Sequence, residues 1–136
     1  MRASISDAKI EIPPTTLSYI RDEKENGPMY AIAISHVKKR ITLCFRGSDT
    51  AEDWVHNLKS TIRKIGNVGV HRGFYEYLDR IYDSLKEKIC SVLQKHRSFE
   101  FYVTGHSLGG ALATLFAYRF VNDPKYVNDV ARPIKC

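Results

Sequence analysis

Apolar residues at Phe74, Tyr77, Leu78, Ile81, Leu85, Ile89, Val92 and Leu93 recur every three or four positions. That spacing keeps them on one face of a helix for about five turns. Glu76 and Arg80 fall on the wet side, four residues apart, where an ion pair is expected. Upstream, Met29–Ser35 is a run of Tyr, Ala and Ile. Arg40–Arg46 alternates, with Ile41, Leu43 and Phe45 on one face and Thr42 and Cys44 on the other. Both read as strands. Residues 36–39 join them in a basic connection that suits an exposed hairpin loop. Phe99–Val103 is apolar and reads as part of a strand at 99–104. From Leu108 a stripe of Leu112, Leu115, Phe116 and Phe120 reads as a helix, which Asn122-Asp123-Pro124 stops. Strand 40–46, helix 74–95 and strand 99–104 form a βαβ pattern. An α/β fold follows, with a mainly parallel sheet flanked by helices and the right-handed crossover normal for such units.

The remaining segments carry weaker patterns. Pro13-Pro14 blocks helix and favours extended chain, and Arg21–Gly27 is polar and leads into an Asn-Gly-Pro turn signal. Residues 1–27 are therefore expected to be an N-terminal extension and 28–136 a domain. After the second strand, Asp49 or Thr50 has an acidic residue three positions on, a capping arrangement. Trp54, Val55 and Leu58 then share a face of a short helix. Spacing alone makes this an ordinary surface helix anchored by one tryptophan; a lid at the mouth of a site is the alternative. Residues 65–70 contain two glycines and read as a loop entering a short extended piece. Ile134-Lys135-Cys136, after the Arg132-Pro133 turn signal, reads as the start of another strand.

Composition narrows this picture. A chain of 136 residues, 43% hydrophobic and 26% charged, has the balance of one ordinary globular domain. Its apolar runs are too short to span a bilayer, and no apolar leader region is visible, so a cytoplasmic or intracellular protein is expected. Cys44, Cys90 and Cys136 form neither a disulfide framework nor a metal spacing, and Cys44 and Cys90 are expected to be buried free thiols. The net charge of +6 is scattered over Lys38-Lys39-Arg40, Arg63-Lys64, Lys86, Lys88 and Lys95–Arg97. A solvated basic surface is the plain reading, attraction to an anionic lipid surface the alternative, and no nucleic-acid partner is expected.

The chemistry sits at Gly105-His106-Ser107-Leu108-Gly109. This is G-x-S-x-G between a strand and a helix, the context of a nucleophile elbow at 99–121. A sharp turn would strain the backbone at Ser107 and aim its Oγ outwards. Glycines at 105 and 109 admit neighbouring chain. Gly110, Ala111 and Ala113 let the helix pack close to the sheet, and the helix N-terminus favours a developing oxyanion. The pattern alone also fits a glycine-rich turn in an unrelated α/β domain; the flanking strand and helix favour the elbow.

Four blocks together resemble the class 3, fungal-lipase-like branch of the α/β-hydrolases over roughly residues 28–120. They are Phe45-Arg46-Gly47-Ser48, then Asp53-Trp54 with Asn57-Leu58, then His71-x-Gly73-Phe74, and finally Gly105–Ala111. The resemblance implies Ser107 as nucleophile. Ser48 would supply an oxyanion-hole N–H with its hydroxyl, and Leu108 a second N–H. Residues 49–60 would form the lid region, with Asp49, Trp54, Val55 and Leu58 towards substrate. His71, Gly73 and His106 would be structural residues near the site. It implies ester hydrolysis through an acyl-enzyme, acylglycerols or related lipids as substrates, and no metal or organic cofactor.

One departure stands out. In α/β-hydrolases the acid and the histidine follow the serine. Here 29 residues follow Ser107 and none is histidine. Asp123, beyond the elbow helix, should lie roughly 20 Å from Ser107, and Asp129 has no histidine to orient. His106 points away from its neighbour, His56 lies in the expected lid, His71 reads as structural, and His36 and His96 read as surface residues. No complete triad is expected in this sequence. It reads as an incomplete α/β-hydrolase domain with an open edge at strand 99–104. Two outcomes are open: a lipase or carboxylic ester hydrolase that needs the missing acid and histidine, with a second chain as one way to complete the sheet, or a non-catalytic remnant that binds lipid or a partner chain.

Overall fold

The computed structural model describes residues 15–20 as backbone, and residues 28–47 and 62–136 in full. Among these, five strands form one sheet in the order β1-β2-β3-β6-β7. β2 (Tyr30–Ser35) runs antiparallel to both its neighbours, β1 (Thr15–Ile20) and β3 (Arg40–Phe45). β6 (Glu100–Gly105) lies parallel to β3, in register from Arg40 opposite Glu100 to Phe45 opposite Gly105. The helix α1 (Arg72–Lys95) supplies the crossover, so the expected βαβ unit is present. The sheet is mixed, because the N-terminal strands form a meander beside the parallel pairs.

One face of the sheet carries the core. Tyr30, Ile32, Ile34, Ile41, Leu43, Phe45, Phe101 and Val103 are all buried. Register and the alternation of side chains along each strand put them on the same side. Against them pack Leu78, Ile81, Leu85, Ile89 and Leu93 of α1, and Leu112, Phe116 and Phe120 of α2 (Leu108–Val121). Phe116 lies 5.9 Å from Phe45 and 5.0 Å from Phe120, ring centre to ring centre. Each such side chain contributes about 1.5–3 kcal/mol of burial, and the two phenylalanines of α2 fix the elbow helix to β3 and β6.

The opposite face is polar. The Arg40 guanidinium lies 4.0 Å from the centre of the Tyr102 ring, and Lys135 pairs with Glu100. Cys44, expected to be buried, is exposed, because it alternates onto this polar side; Cys90, on α1, is buried as expected. The hydrogen-bonded partner of Glu76 is Arg72, at 2.7 Å, rather than Arg80. The helix begins two residues before its apolar stripe, which brings Arg72 into the four-residue spacing.

Three further elements depart from the pattern read above. Residues 15–20 form a strand paired with β2. β4 (Ile62–Ile65) and β5 (Val68–His71) form a separate hairpin through Gly66, whose φ is +58°. A short helix α3 (Pro124–Asp129) follows α2, capped by Asp123. β7 (Ile134–Lys135) then pairs with β6 at Phe101 and Tyr102, so the edge expected to be open is partly covered.

Arg132 aligns that last strand. Its guanidinium donates to the carbonyls of Leu93, His96 and Phe99, each at 2.8 Å, and its Nε to Val130 O at 3.3 Å. The free carbonyls at the C-terminus of α1 are thereby met by a positive charge. The Tyr126 phenol holds the same turn, accepting from the Arg132 N–H at 2.9 Å and donating to its carbonyl.

Candidate active site

Ser107 joins β6 to α2 with φ 54° and ψ −120°. Among the described residues, only Ser107 and Lys39 combine a side chain with a positive φ. Such a conformation costs of order 1–3 kcal/mol and survives only where its surroundings impose it. Here they do. The Gly109 N–H donates to His106 O at 2.9 Å, and the Gly110 and Ala111 N–H groups donate to Ser107 O at 2.9 and 3.2 Å. The turn closes within four residues, and Ser107 stands exposed at its apex. Although Ser107 is the N-cap of α2, its side chain makes no capping hydrogen bond. Its Oγ is therefore not engaged by the helix it precedes.

The glycines follow from distances. A Cβ on Gly105 would lie 2.3 Å from the Gly109 carbonyl, and one on Gly109 would lie 2.3 Å from Phe45 O. A Cβ on Gly47 would lie 2.7 Å from His106 O. Three stretches of backbone (the end of β3, the chain leaving it, and the elbow) thus meet without side chains between them. The Leu108 N–H is the first of the four that a helix N-terminus leaves without an intrahelical acceptor, and it carries the positive end of the α2 dipole. The resemblance implies this N–H as an oxyanion donor. The second expected donor, Ser48, follows Gly47 directly but lies outside the described residues. So do Asp49, Trp54, Val55 and Leu58 of the expected lid, and His56.

His71 caps α1: its Nδ1 accepts from the Gly73 N–H at 3.1 Å, and its ring lies 4.5 Å from Phe74. The block His71-x-Gly73-Phe74 is thus one local structural unit. The His71 Nε2 is buried without a hydrogen-bond partner. His106 is exposed at the elbow. His36 and His96 pack on each other and on Phe99, at the start of β6. Ser107 is at the other end of that strand, so neither can act on it. Asp123 accepts from the Lys125 N–H at 3.0 Å and the Tyr82 hydroxyl at 3.3 Å, and pairs with Lys86 at 3.2 Å. It is a cap and a bridge between α1 and α3, one full helix away from Ser107. Burial, and then the Asp123 charge, push the Tyr82 phenol well above the ordinary tyrosine range. Asp129 is exposed at the end of α3. Among the described residues, none forms the acid–histidine pair of a triad with Ser107, and no group of three or more His, Cys, Asp or Glu gathers as a metal site.

The close approach of chain at Gly109 was expected, but sequence reasoning did not identify Phe45 as its partner and missed the contact of Gly47 with His106, pairs about sixty positions apart. It also missed Arg119 of α2, which stacks on Tyr82 at 3.8 Å and Tyr75 at 4.6 Å and pairs with Asp79 at 2.9 Å. Arg63 of β4 covers Tyr75 as well, at 4.2 Å, and so ties the hairpin to α1. No local pattern marks such pairs.

Comparison with known proteins bears on what this geometry is for. The family model described as lipase (class 3) matches residues 42–136. The chain is 34% identical over 89 residues to secreted mono- and diacylglycerol lipase 1 of Fusarium solani, covering 63% of this chain and 27% of that one. It is 35% identical over 97 residues to lipase ZK262.3 of Caenorhabditis elegans, covering 68% and 27%. Among solved structures, a mutant of the lipase MDLA from Penicillium cyclopium superposes with a TM-score of 0.73 at 27% identity, over 82% of this chain and 43% of that one. A triacylglycerol lipase whose catalytic centre is a serine protease triad superposes with a TM-score of 0.70 at 26% identity, over 77% and 41%. The chain thus spans well under half the length of these relatives.

Proposed function

The chain belongs to the class 3 lipases, and from that premise we propose that it carries the nucleophile and oxyanion half of a serine ester hydrolase acting on lipids. The observation that carries this reading is Ser107: exposed, at φ 54°, ahead of a helix N-terminus, with an uncapped side chain. In the proposed reaction the Ser107 Oγ attacks the ester carbonyl carbon and gives its proton to a general base. The carbonyl oxygen becomes an oxyanion, which accepts from the Leu108 N–H and from Ser48. The tetrahedral species collapses, the alcohol leaves with a proton, and an acyl-Ser107 ester remains. Water then attacks that ester and releases the fatty acid. One fixed oxyanion donor is worth about 2.7–4 kcal/mol in such reactions. The acid and the histidine come from outside the described residues, in keeping with the greater length of the relatives.

Acylglycerols or related lipid esters fit as substrates, since the relatives are named for mono- and diacylglycerols, triacylglycerols and phospholipids. Three free thiols accord with a reducing, intracellular setting. The test is hydrolysis of a short-chain nitrophenyl ester and of a diacylglycerol emulsion, with Ser107→Ala as control. Hydrolysis that survives in Ser107→Ala excludes this mechanism. A second reading, a lipid- or partner-binding remnant without turnover, draws on the lack of a histidine positioned to serve Ser107 among the described residues. It predicts saturable binding of a short-chain lipid analogue with no product.

A further inference from the structure

The two basic runs of the sequence, 36–40 and 95–97, become one surface in the fold. The first is the turn between β2 and β3, and the second leads from α1 to β6. The ring of His36 lies 5.5 Å from that of His96 and 5.6 Å from that of Phe99, and the Glu100 N–H donates to Lys39 O at 2.9 Å. Lys38, Lys39, Lys95 and Arg97 are all exposed there. No acidic residue occurs in either run.

These cations differ from the rest. Elsewhere among the described residues, basic side chains other than Lys64 are met within the chain. Arg72, Lys86, Arg119, Lys125 and Lys135 pair with carboxylates. Arg40 and Arg63 lie over tyrosine rings, and Arg132 donates to backbone carbonyls. Lys38, Lys39, Lys95 and Arg97 have no such partner among the described residues; outside this surface only Lys64 shares that state. At the end of α1, the Leu93 and His96 carbonyls are already met by Arg132. At the tip of the turn Val37 is 71% exposed, an apolar side chain next to Lys38.

We propose that this end of the sheet docks an acidic segment of a partner protein, with carboxylates meeting the four cations and an apolar side chain meeting Val37. The choice of a protein over a lipid surface rests on the function proposed above. Ser107 must meet lipid at the C-terminal end of β6, and the basic surface lies at the N-terminal end, roughly 20 Å away along the strand. It stays accessible while the elbow faces an aggregate. A membrane bound here would hold Ser107 away from its substrate.

The experiment measures binding of a fluorescein-labelled oligoglutamate peptide by anisotropy at about 50 mM and about 150 mM salt, concentrations that bracket the useful range of screening. One variant carries Lys38→Gln, Lys95→Gln and Arg97→Gln. A control removes the same charge elsewhere, with Lys64→Gln, Arg80→Gln and Lys125→Gln. Five of these six residues are exposed and Lys125 is half-buried, and circular dichroism checks the fold. The peptide should bind the parent chain, more weakly at higher salt. Its affinity should fall about tenfold in the first variant, from three exposed pairs of a few tenths to one kcal/mol each, and less than twofold in the control. Equal losses in both variants, or no binding at low salt, would overturn the proposal. So would co-sedimentation with phosphatidylcholine–phosphatidylserine vesicles that is lost in the first variant alone, since it makes the partner a lipid surface. Absent ester hydrolysis with intact, patch-dependent peptide binding would count against the lipase reading and leave the docking surface standing.

Discussion

Replacing Gly109 by alanine should disturb the elbow through one added methyl group. That Cβ would lie 2.3 Å from Phe45 O and 3.0 Å from Phe45 C. Carbon and oxygen in packed backbone stay about 3.3 Å apart or more, so α2 and β3 must separate by about 1 Å. Neither side yields easily, because β3 is paired on both edges and α2 is held by Phe116 and Phe120. Overpacking of this kind costs about 1–3 kcal/mol. For 136 residues the melting temperature should fall by about 3–10 °C. The same shift carries the Leu108 N–H off the oxyanion position, and a displacement near 1 Å can cost about a hundredfold in rate. Thermal unfolding by circular dichroism and the rate of fluorophosphonate labelling read the two effects. Gly66→Asn is the control: the turn is open around Gly66 at φ +58°, a conformation asparagine accepts. A Gly109→Ala protein that melts and labels like the parent would refute the close packing of elbow and β3.

Other outcomes follow from the same contacts. Arg132→Leu should lower stability by roughly 2–4 kcal/mol, since it leaves the carbonyls of Leu93, His96 and Phe99 without their charged donor; Arg132→Lys should not restore it, because a single ammonium lacks the guanidinium fork, and urea unfolding measures both. Iodoacetamide should modify Cys44 and Cys136 well before Cys90, whose thiol is buried and pushed upward by that burial; timed mass spectra give the order. Burial raises the Tyr82 phenol, so above the ordinary tyrosine value of about 10 the unfolded chain releases a proton that the folded chain keeps. Stability should then fall as pH rises, with a slope approaching 1.4 kcal/mol per pH unit, roughly, for that one proton, and Tyr82→Phe should flatten this part of the curve in urea titrations.

The parts of the fold that were legible in the sequence are those written in one stretch. The stripe from Phe74 to Leu93 has only one helical solution, and the alternation at Ile41, Leu43 and Phe45 only one strand face. The elbow was legible for the same reason, since strand, turn and helix occupy consecutive residues. β1 was obscured by Pro13-Pro14 and its short length, although Thr15–Ile20 partly alternates. The β4–β5 hairpin turns on Gly66-Asn67, a two-residue signal that reads as loop when the flanking strands are only four residues long. α3 was hidden because Asp123-Pro124 ends one helix and caps the next. The exposure of Cys44 required knowing which face of the sheet the helices cover. The meeting of Gly47 with His106, of Gly109 with Phe45, and of Arg132 with the end of α1 depends on distant pairs that no local pattern records.

Intact mass after incubation with a fluorophosphonate, for the parent chain and for Ser107→Ala, tests the central claim most directly. The account predicts a single adduct that maps to Ser107 and disappears in the variant, even if it forms slowly. An adduct that maps to another residue, or one that persists in Ser107→Ala, would contradict Ser107 as the nucleophile.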